Sequence, residues 1–315
     1  MSEYFSIPHK IIDNMEKVII GKRGAIELVV ISLLAQGHIL IEDVPGIGKT
    51  SMVSALAKSL GLKFKRIQFT PDILPSDITG FSMYNRNTGE FEYRPGNIMS
   101  NIILADEINR TSPKTQASML EVMEEYQVTV DGRTYGLPEP FMVLATQNPI
   151  EYIGTYPLPE AQLDRFLMRI SIGYPSIEDE IKIISRNREK NPLDDLAQVA
   201  DRKNIFDMQT QVKKVQIKDT LTAYIVNIIT KTRKHEHVSL GCSPRASLFL
   251  AKASQALAFM EERDYVTPDD IQKVAVPVLS HRIILHQEAR IKDIKPESII
   301  EEIIEMTKTP IRKPK

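Results

Sequence analysis

His38-Ile39-Leu40-Ile41-Glu42-Asp43-Val44-Pro45-Gly46-Ile47-Gly48-Lys49-Thr50 joins three signals in one run. Its apolar start predicts a buried strand. Gly46 and Gly48 let the backbone approach a bound group closely, so several amide N–H groups can point at one anion. From Lys49 to Leu60 the spacing predicts a helix closed by Gly61. The positive end of that helix faces the loop. Lys49 is placed to reach the β- and γ-oxygens of a phosphate chain, and Thr50 to offer its hydroxyl to magnesium. The general pattern G-x-x-x-x-G-K-[ST] has glycine at position 43, whereas this chain carries Asp43. Gly-Lys-Thr also occurs in ordinary turns, so the rest of the chain must support it.

Ile102-Ile103-Leu104-Ala105-Asp106-Glu107 supplies that support. An apolar strand ending in two carboxylates puts them where ligands of open α/β sheets bind. Asp106 is expected to hold the magnesium shell and Glu107 to polarise an attacking water. A strand at 142–146 runs into Gln147-Asn148-Pro149, so Asn148 can orient that water if the strand lies between the other two. Arg165 precedes another strand, at 167–172. It could meet a γ-phosphate within its own chain, serve a neighbouring subunit as a finger, or pair with Asp164 at the surface. Arg245 opens a later helix and would reach the phosphates from above if that region folds over the loop. Arg110 is a further candidate for a subunit boundary.

Working outward, the chain up to Gly37 reads as mostly helical, and Phe64-Lys65-Arg66-Ile67-Gln68-Phe69 alternates as a strand. Strands alternating with helices argue for a mostly parallel α/β sheet. Two segments break the alternation, around residues 82–93 and 127–135. Turn chemistry at their centres, Asp131-Gly132 above all, predicts inserted β-hairpins. After Tyr174-Pro175 the strand signals stop. Leu221, Tyr224, Ile225, Ile228 and Ile229 share one helical face, and Ser243-Pro244 and Thr267-Pro268 start further helices. Residues 1–174 are therefore expected to form an α/β nucleotide-binding domain, and 175–315 an α-helical domain. The tail from Thr309 is expected to fray.

Of 315 residues, 40 are basic and 41 acidic, a formal net charge of -1 that marks no polyanion binder. Hydrophobic residues make up 42%, enough for a substantial core. A single cysteine, Cys242, forms no intrachain disulfide and is expected to be a small buried residue. No Cys/His spacing suggests zinc. The N-terminus lacks a signal-peptide layout and no apolar run approaches the ~20 residues of a membrane span, so a cytoplasmic protein is expected.

These motifs, in this order, resemble the AAA+ ATPases and, more narrowly, the MoxR family. The resemblance rests on residues 41–50, 105–110, 145–149, 158–166 and 243–246, and runs from about residue 20 to about residue 280. It implies that Gly46, Gly48, Lys49 and Thr50 form Walker A, and Asp106 and Glu107 Walker B. Asn148 becomes sensor 1, Arg165 the arginine finger and Arg245 sensor 2. Gly21 would lie near the adenine. The implied nucleotide-contacting set is Gly21, Val44, Pro45, Gly46, Ile47, Gly48, Lys49, Thr50, Ser51 and Asp106, with Thr50 and Asp106 on Mg²⁺. Glu107, Asn148, Arg165 and Arg245 are the implied catalytic set. The implied fold is a P-loop core with five parallel strands ordered 5-1-4-3-2, inserted hairpins and an all-α lid. The resemblance also implies a ring oligomer, usually a hexamer. It would hydrolyse ATP to assemble or activate protein complexes, with a von Willebrand factor A domain protein as partner. Two other functions stay open at this stage. One is a nucleic-acid motor using Arg86, Arg94 and Arg133 on the hairpins. The other is a nucleotide-sensing scaffold with negligible turnover.

Overall fold

A computed structural model describes residues 2–148, 154–186 and 192–310. Eleven strands and thirteen helices are found among these residues. Five strands form the central sheet: β1 (Ile39–Glu42), β2 (Phe64–Gln68), β5 (Ile102–Asp106), β8 (Met142–Gln147) and β9 (Met168–Ile170). Their spatial order is β2-β5-β8-β1-β9, and every neighbouring pair is parallel. Counted along the chain as five core strands, that is 5-1-4-3-2, the order the resemblance implies. β8 therefore lies between the two motif strands, as Asn148 requires.

Both faces of this sheet are covered, which explains its nearly continuous apolar strands. Side chains alternate across the sheet. Ile39, Ile41, Leu104 and Leu144 pack in one cluster with α1 (Ser2–Glu16), α2 (Arg23–Leu34) and α3 (Lys49–Leu60). Leu40, Ile103, Val143 and Ala145 pack in the other with α5 (Pro113–Glu125). Gly48 and Gly61, both in the left-handed region, bound α3 at its two ends. Ser112 caps α5, its hydroxyl accepting from the Thr115 N–H, with Pro113 at the first helical position.

The inserts are two antiparallel hairpins, as expected. After the short helix α4 (Pro75–Thr79) come β3 (Gly80–Asn85) and β4 (Glu90–Pro95). After α5 come β6 (Gln127–Val130) and β7 (Arg133–Gly136). The short helix α6 (Glu160–Leu163) leads into β9.

Beyond the sheet lie α7 (Ile177–Arg186), α8 (Arg202–Val212), α9 (Asp219–Thr232), α10 (Pro244–Met260), α11 (Pro268–Leu279), α12 (Gln287–Ile291) and α13 (Pro296–Met306). The five-residue face on α9 is buried as expected. One correction concerns strands. β10 (Val238–Leu240) and β11 (Ile284–Leu285) form a small antiparallel ribbon within the helical lid. The fifth core strand is also shorter than 167–172. Beyond Ile170 the chain leaves the ladder: the Ile172 and Gly173 N–H groups donate to the Asp43 carboxylate instead, and the Ser171 hydroxyl joins them there. Lid and sheet share the first core cluster, and Arg169 on β9 bridges Glu42 of β1 and Glu297 of α13. The expectations for Pro149 and for residues 311–315 lie outside the described residues.

Candidate functional site: the phosphate cavity and the arginine cluster

At the C-terminal ends of the strands, Pro45, Gly46, Gly48, Lys49, Thr50, Arg66, Gln68, Asp106, Glu107 and Asn148 line a cavity of about 230 Å³. Three core strands and α3 thus bring the glycine loop with Lys49 and Thr50, both acidic residues and Asn148 to one place. Gly46 (φ 87°) and Gly48 (φ 93°) adopt backbone angles that L side chains resist, which turns the loop around the cavity. The Lys49 ammonium donates to the Asp43 carbonyl at 2.7 Å. Burial pulls its pKa below the usual lysine range, and the nearby Asp106, Asp43 and Glu107 carboxylates oppose that.

Asp106 is held from two sides. Its Oδ1 accepts from the Thr146 hydroxyl at 2.6 Å, and its Oδ2 accepts from Arg66 Nε at 3.0 Å and Nη2 at 2.5 Å. Glu107 follows it in a left-handed conformation (φ 58°), a strained turn that delivers both carboxylates to the same cavity. Its N–H donates to Thr146 Oγ1, and its Oε2 accepts from Gln68 Nε2 at 2.8 Å. Arg110 pairs with the same carboxylate at 3.1 Å, so it sits beside Glu107. Among the described residues no cluster of three His, Cys, Asp or Glu could hold a metal alone. One carboxylate beside a hydroxyl and a phosphate site fits Mg²⁺, which prefers phosphate oxygens and water to an all-protein cage.

A second cavity of about 450 Å³ adjoins the loop. Ile20, Lys22, Pro45, Gly46, Ile47, Gly48, Ser51, Tyr174, Pro175 and Ile183 contribute to its lining, with Val18, Ile19, Glu180, Arg186, Pro192 and Leu193 beside them. It is mostly apolar and shares Pro45, Gly46 and Gly48 with the first cavity. Gly21 (φ 71°) lies between two lining residues. A Cβ there would come within 2.0 Å of Asp179 Oδ2, so glycine lets α7 close over the pocket.

Asp43 has a role that the glycine pattern hides. Its carboxylate is buried, and it accepts from the Ile172 N–H (2.5 Å), the Gly173 N–H (3.3 Å) and Ser171 Oγ (3.1 Å). The first loop residue is thereby fastened to the segment that leads into Tyr174 and α7.

Arg165 and Arg245 lie elsewhere. Arg165 Nε is 3.0 Å from Glu124 Oε2, and Arg245 Nη2 donates to Glu124 Oε1. Gln36, Gly37, His38 and Lys252 help line their cavity of about 210 Å³. Gly37 and His38 precede β1, whereas the phosphate loop follows it. Six residue steps at about 3.3 Å each separate these ends by on the order of 20 Å. Arg245, expected above its own phosphate loop, is therefore corrected to the far end of the sheet. The lid carries it there through a buried tie. Arg282 Nε donates to Asp164 Oδ1 and Ser243 Oγ to Asp164 Oδ2, both at 2.9 Å. His38 anchors the same end. The Val143 N–H donates to its Nδ1, so its Nε2 donates to the Met123 carbonyl. Burial lowers its pKa to about 4.

Cys242 is buried as expected, and burial pushes its thiol up to about 11. No helix among the described residues is long and apolar enough to cross a membrane.

Sequence reasoning missed Arg66, Gln68 and Glu124 as site residues. Arg66 and Gln68 share one face of the edge strand β2 by their two-residue spacing, with Gln68 in register with Asp106. That spacing was the available signal. Glu124 gave none, because its partners are distant in sequence.

Loop, paired acids and sheet order define an ATPase of the P-loop AAA+ class. Two domain families match the chain: "ATPase family associated with various cellular activities (AAA)" over residues 38–168, and "AAA lid domain" over residues 230–303. The uncharacterized protein YeaC of Bacillus subtilis is 54% identical over 96% of this chain and 95% of its own length. Chaperone MoxR1 of Mycobacterium tuberculosis is 40% identical over 94% of this chain and 81% of its own. A crystal structure of a protein from Cytophaga hutchinsonii superposes with a TM-score of 0.91 at 41% identity, covering 98% of this chain and 97% of that one. The chain belongs to the MoxR family of AAA+ ATPases.

Proposed function

We propose that this ATPase is magnesium-dependent, completes its site between neighbouring copies in a ring, and uses turnover to remodel or activate protein complexes. The observation that carries the reading is the separation of phosphate loop and arginines. Arg165 and Arg245 converge at the N-terminal ends of the strands, and the phosphate cavity opens at the C-terminal ends. Arginines so far from their own loop suit the transition state of an adjacent copy. A head-to-tail contact that presents one end to the other closes into a ring, and a hexamer is the size the family suggests.

In each site Lys49 and the loop amides hold the phosphates, with Val44, Ile47 and Ser51 shaping the loop and base pocket. Thr50 and Asp106 would hold Mg²⁺, which neutralises phosphate charge when bound. Glu107 takes the proton of the attacking water and Asn148 orients it. Residues 1–174 work as the nucleotide-binding unit and 175–315 as the lid.

A protein client fits better than nucleic acid. The first hairpin exposes Phe81, Met83, Tyr84 and Phe91, while Glu90 and Glu92 offset Arg86 and Arg94. The name of the mycobacterial relative supports a chaperone role. A von Willebrand factor A domain partner and a cytoplasmic location belong to the same proposal.

The test mixes two inactive variants. Arg165→Ala and Glu107→Gln subunits should each turn over ATP poorly alone and regain part of the rate when mixed. No recovery at any ratio would count against shared sites.

A further inference from the structure

We infer that Arg66 is a resident counter-cation at the metal-facing oxygen of Asp106, and that it competes with the divalent cation there. The inference rests on the magnesium dependence proposed above. Thr146 takes Asp106 Oδ1, which leaves Oδ2 to the groups on the other side of the carboxylate, among them Arg66, which lines the same cavity as Asp106, Lys49, Thr50 and Glu107. Two guanidinium nitrogens of Arg66 meet on that single oxygen. A divalent cation and a guanidinium repel each other, so Oδ2 serves one of them at a time.

Exposure makes the exchange feasible. The Arg66 side chain is 47% exposed and Asp106 only 12%. A half-solvated guanidinium is weakly held and readily rehydrated. Were Arg66 buried as well, stranding its charge would oppose release. Arg66 itself lines the phosphate cavity, so on leaving Oδ2 it still faces phosphate oxygens, its preferred acceptors. Its Nη2 also donates to Gln68 Oε1 at 2.8 Å, and Gln68 in turn holds Glu107. One edge strand thus ties the carboxylate of the metal to that of the water.

The competition is read from binding, not turnover. A fluorescent non-hydrolysable ATP analogue is titrated onto the full chain at magnesium levels from EDTA to saturation. Arg66→Gln should lower the magnesium concentration for half-maximal effect roughly two- to fivefold, the size of one exposed ion pair. In an Asp106→Asn background the same substitution should shift nothing. An unchanged or higher requirement in Arg66→Gln overturns the inference. So does a shift that persists without the Asp106 carboxylate, which would reveal a long-range field only. Should Arg66→Gln lose binding altogether, Arg66→Lys carries the test, with a smaller shift in the same direction expected and none overturning it. A wild-type chain whose binding ignores magnesium overturns the metal reading first, which separates the two failures.

Discussion

The two ends of the central sheet hold opposite charges in similar ways. At the strand C-termini, Asp106 is engaged by the Arg66 guanidinium. At the strand N-termini, Arg165 and Arg245 are engaged by the Glu124 carboxylate. In each case the group given a catalytic or metal-binding role in the proposal already has a partner of opposite sign within its own chain. The partners differ in anchorage. Asp106 is fixed by Thr146 from a neighbouring strand, whereas the arginines ride on a loop and on a lid helix joined through Asp164. One end gathers a lysine, two carboxylates and glycine backbone around a cavity. The other holds two cations, one beside α6 and one on a lid helix.

The sharpest way to break this comparison is to delete the arginine end. Arg165→Ala should lower kcat by about three orders of magnitude while leaving nucleotide affinity within severalfold, because in the proposed shared site Arg165 acts on the transition state of the neighbouring copy. Steady-state phosphate release together with equilibrium binding separates the two effects, and an equal loss in both would put Arg165 at its own loop. At the loop end, Lys49→Ala should cost about 3 kcal/mol of nucleotide affinity, some hundredfold, for one charge-assisted contact. Calorimetric titration checks it.

Acid should distinguish the ends as well. His38 in the fold titrates at about 4, below its ordinary 6.5. Between those values the unfolded chain takes up a proton that the folded chain refuses. Stability should therefore fall as pH drops from about 6.5 to about 4, by up to roughly 3 kcal/mol. Urea unfolding across that window should show the slope, and His38→Gln should remove this part of it. The smallest effect is expected for Glu124→Gln. Both of its ion pairs are partly exposed, so stability should change by no more than ~1 kcal/mol, and turnover should rise modestly as the arginines lose their local partner. A fall like that of Arg165→Ala would make Glu124 part of the working site.

Much of this was legible because it is local. Glycines in a loop, a lysine at a helix start, an apolar strand ending in acids and Asp131-Gly132 in a hairpin each carry their geometry in adjacent residues. The sheet order came with the resemblance. What escaped depends on distance along the chain. Glu124 meets Arg245 only after the lid has packed. The ribbon β10–β11 is three residues against two, too short to show a period. Arg66 looked like an exposed position on an alternating strand until β2 was found at the sheet edge beside Asp106.

Asp43 gives the loop a property that glycine could not. Its carbonyl receives the Lys49 ammonium, and its carboxylate grips the backbone that continues into the helical half. A glycine there would keep the carbonyl bond to Lys49 but lose all three bonds to residues 171–173. With aspartate, one residue is the shared anchor of the lysine and of the backbone that continues toward the helical half.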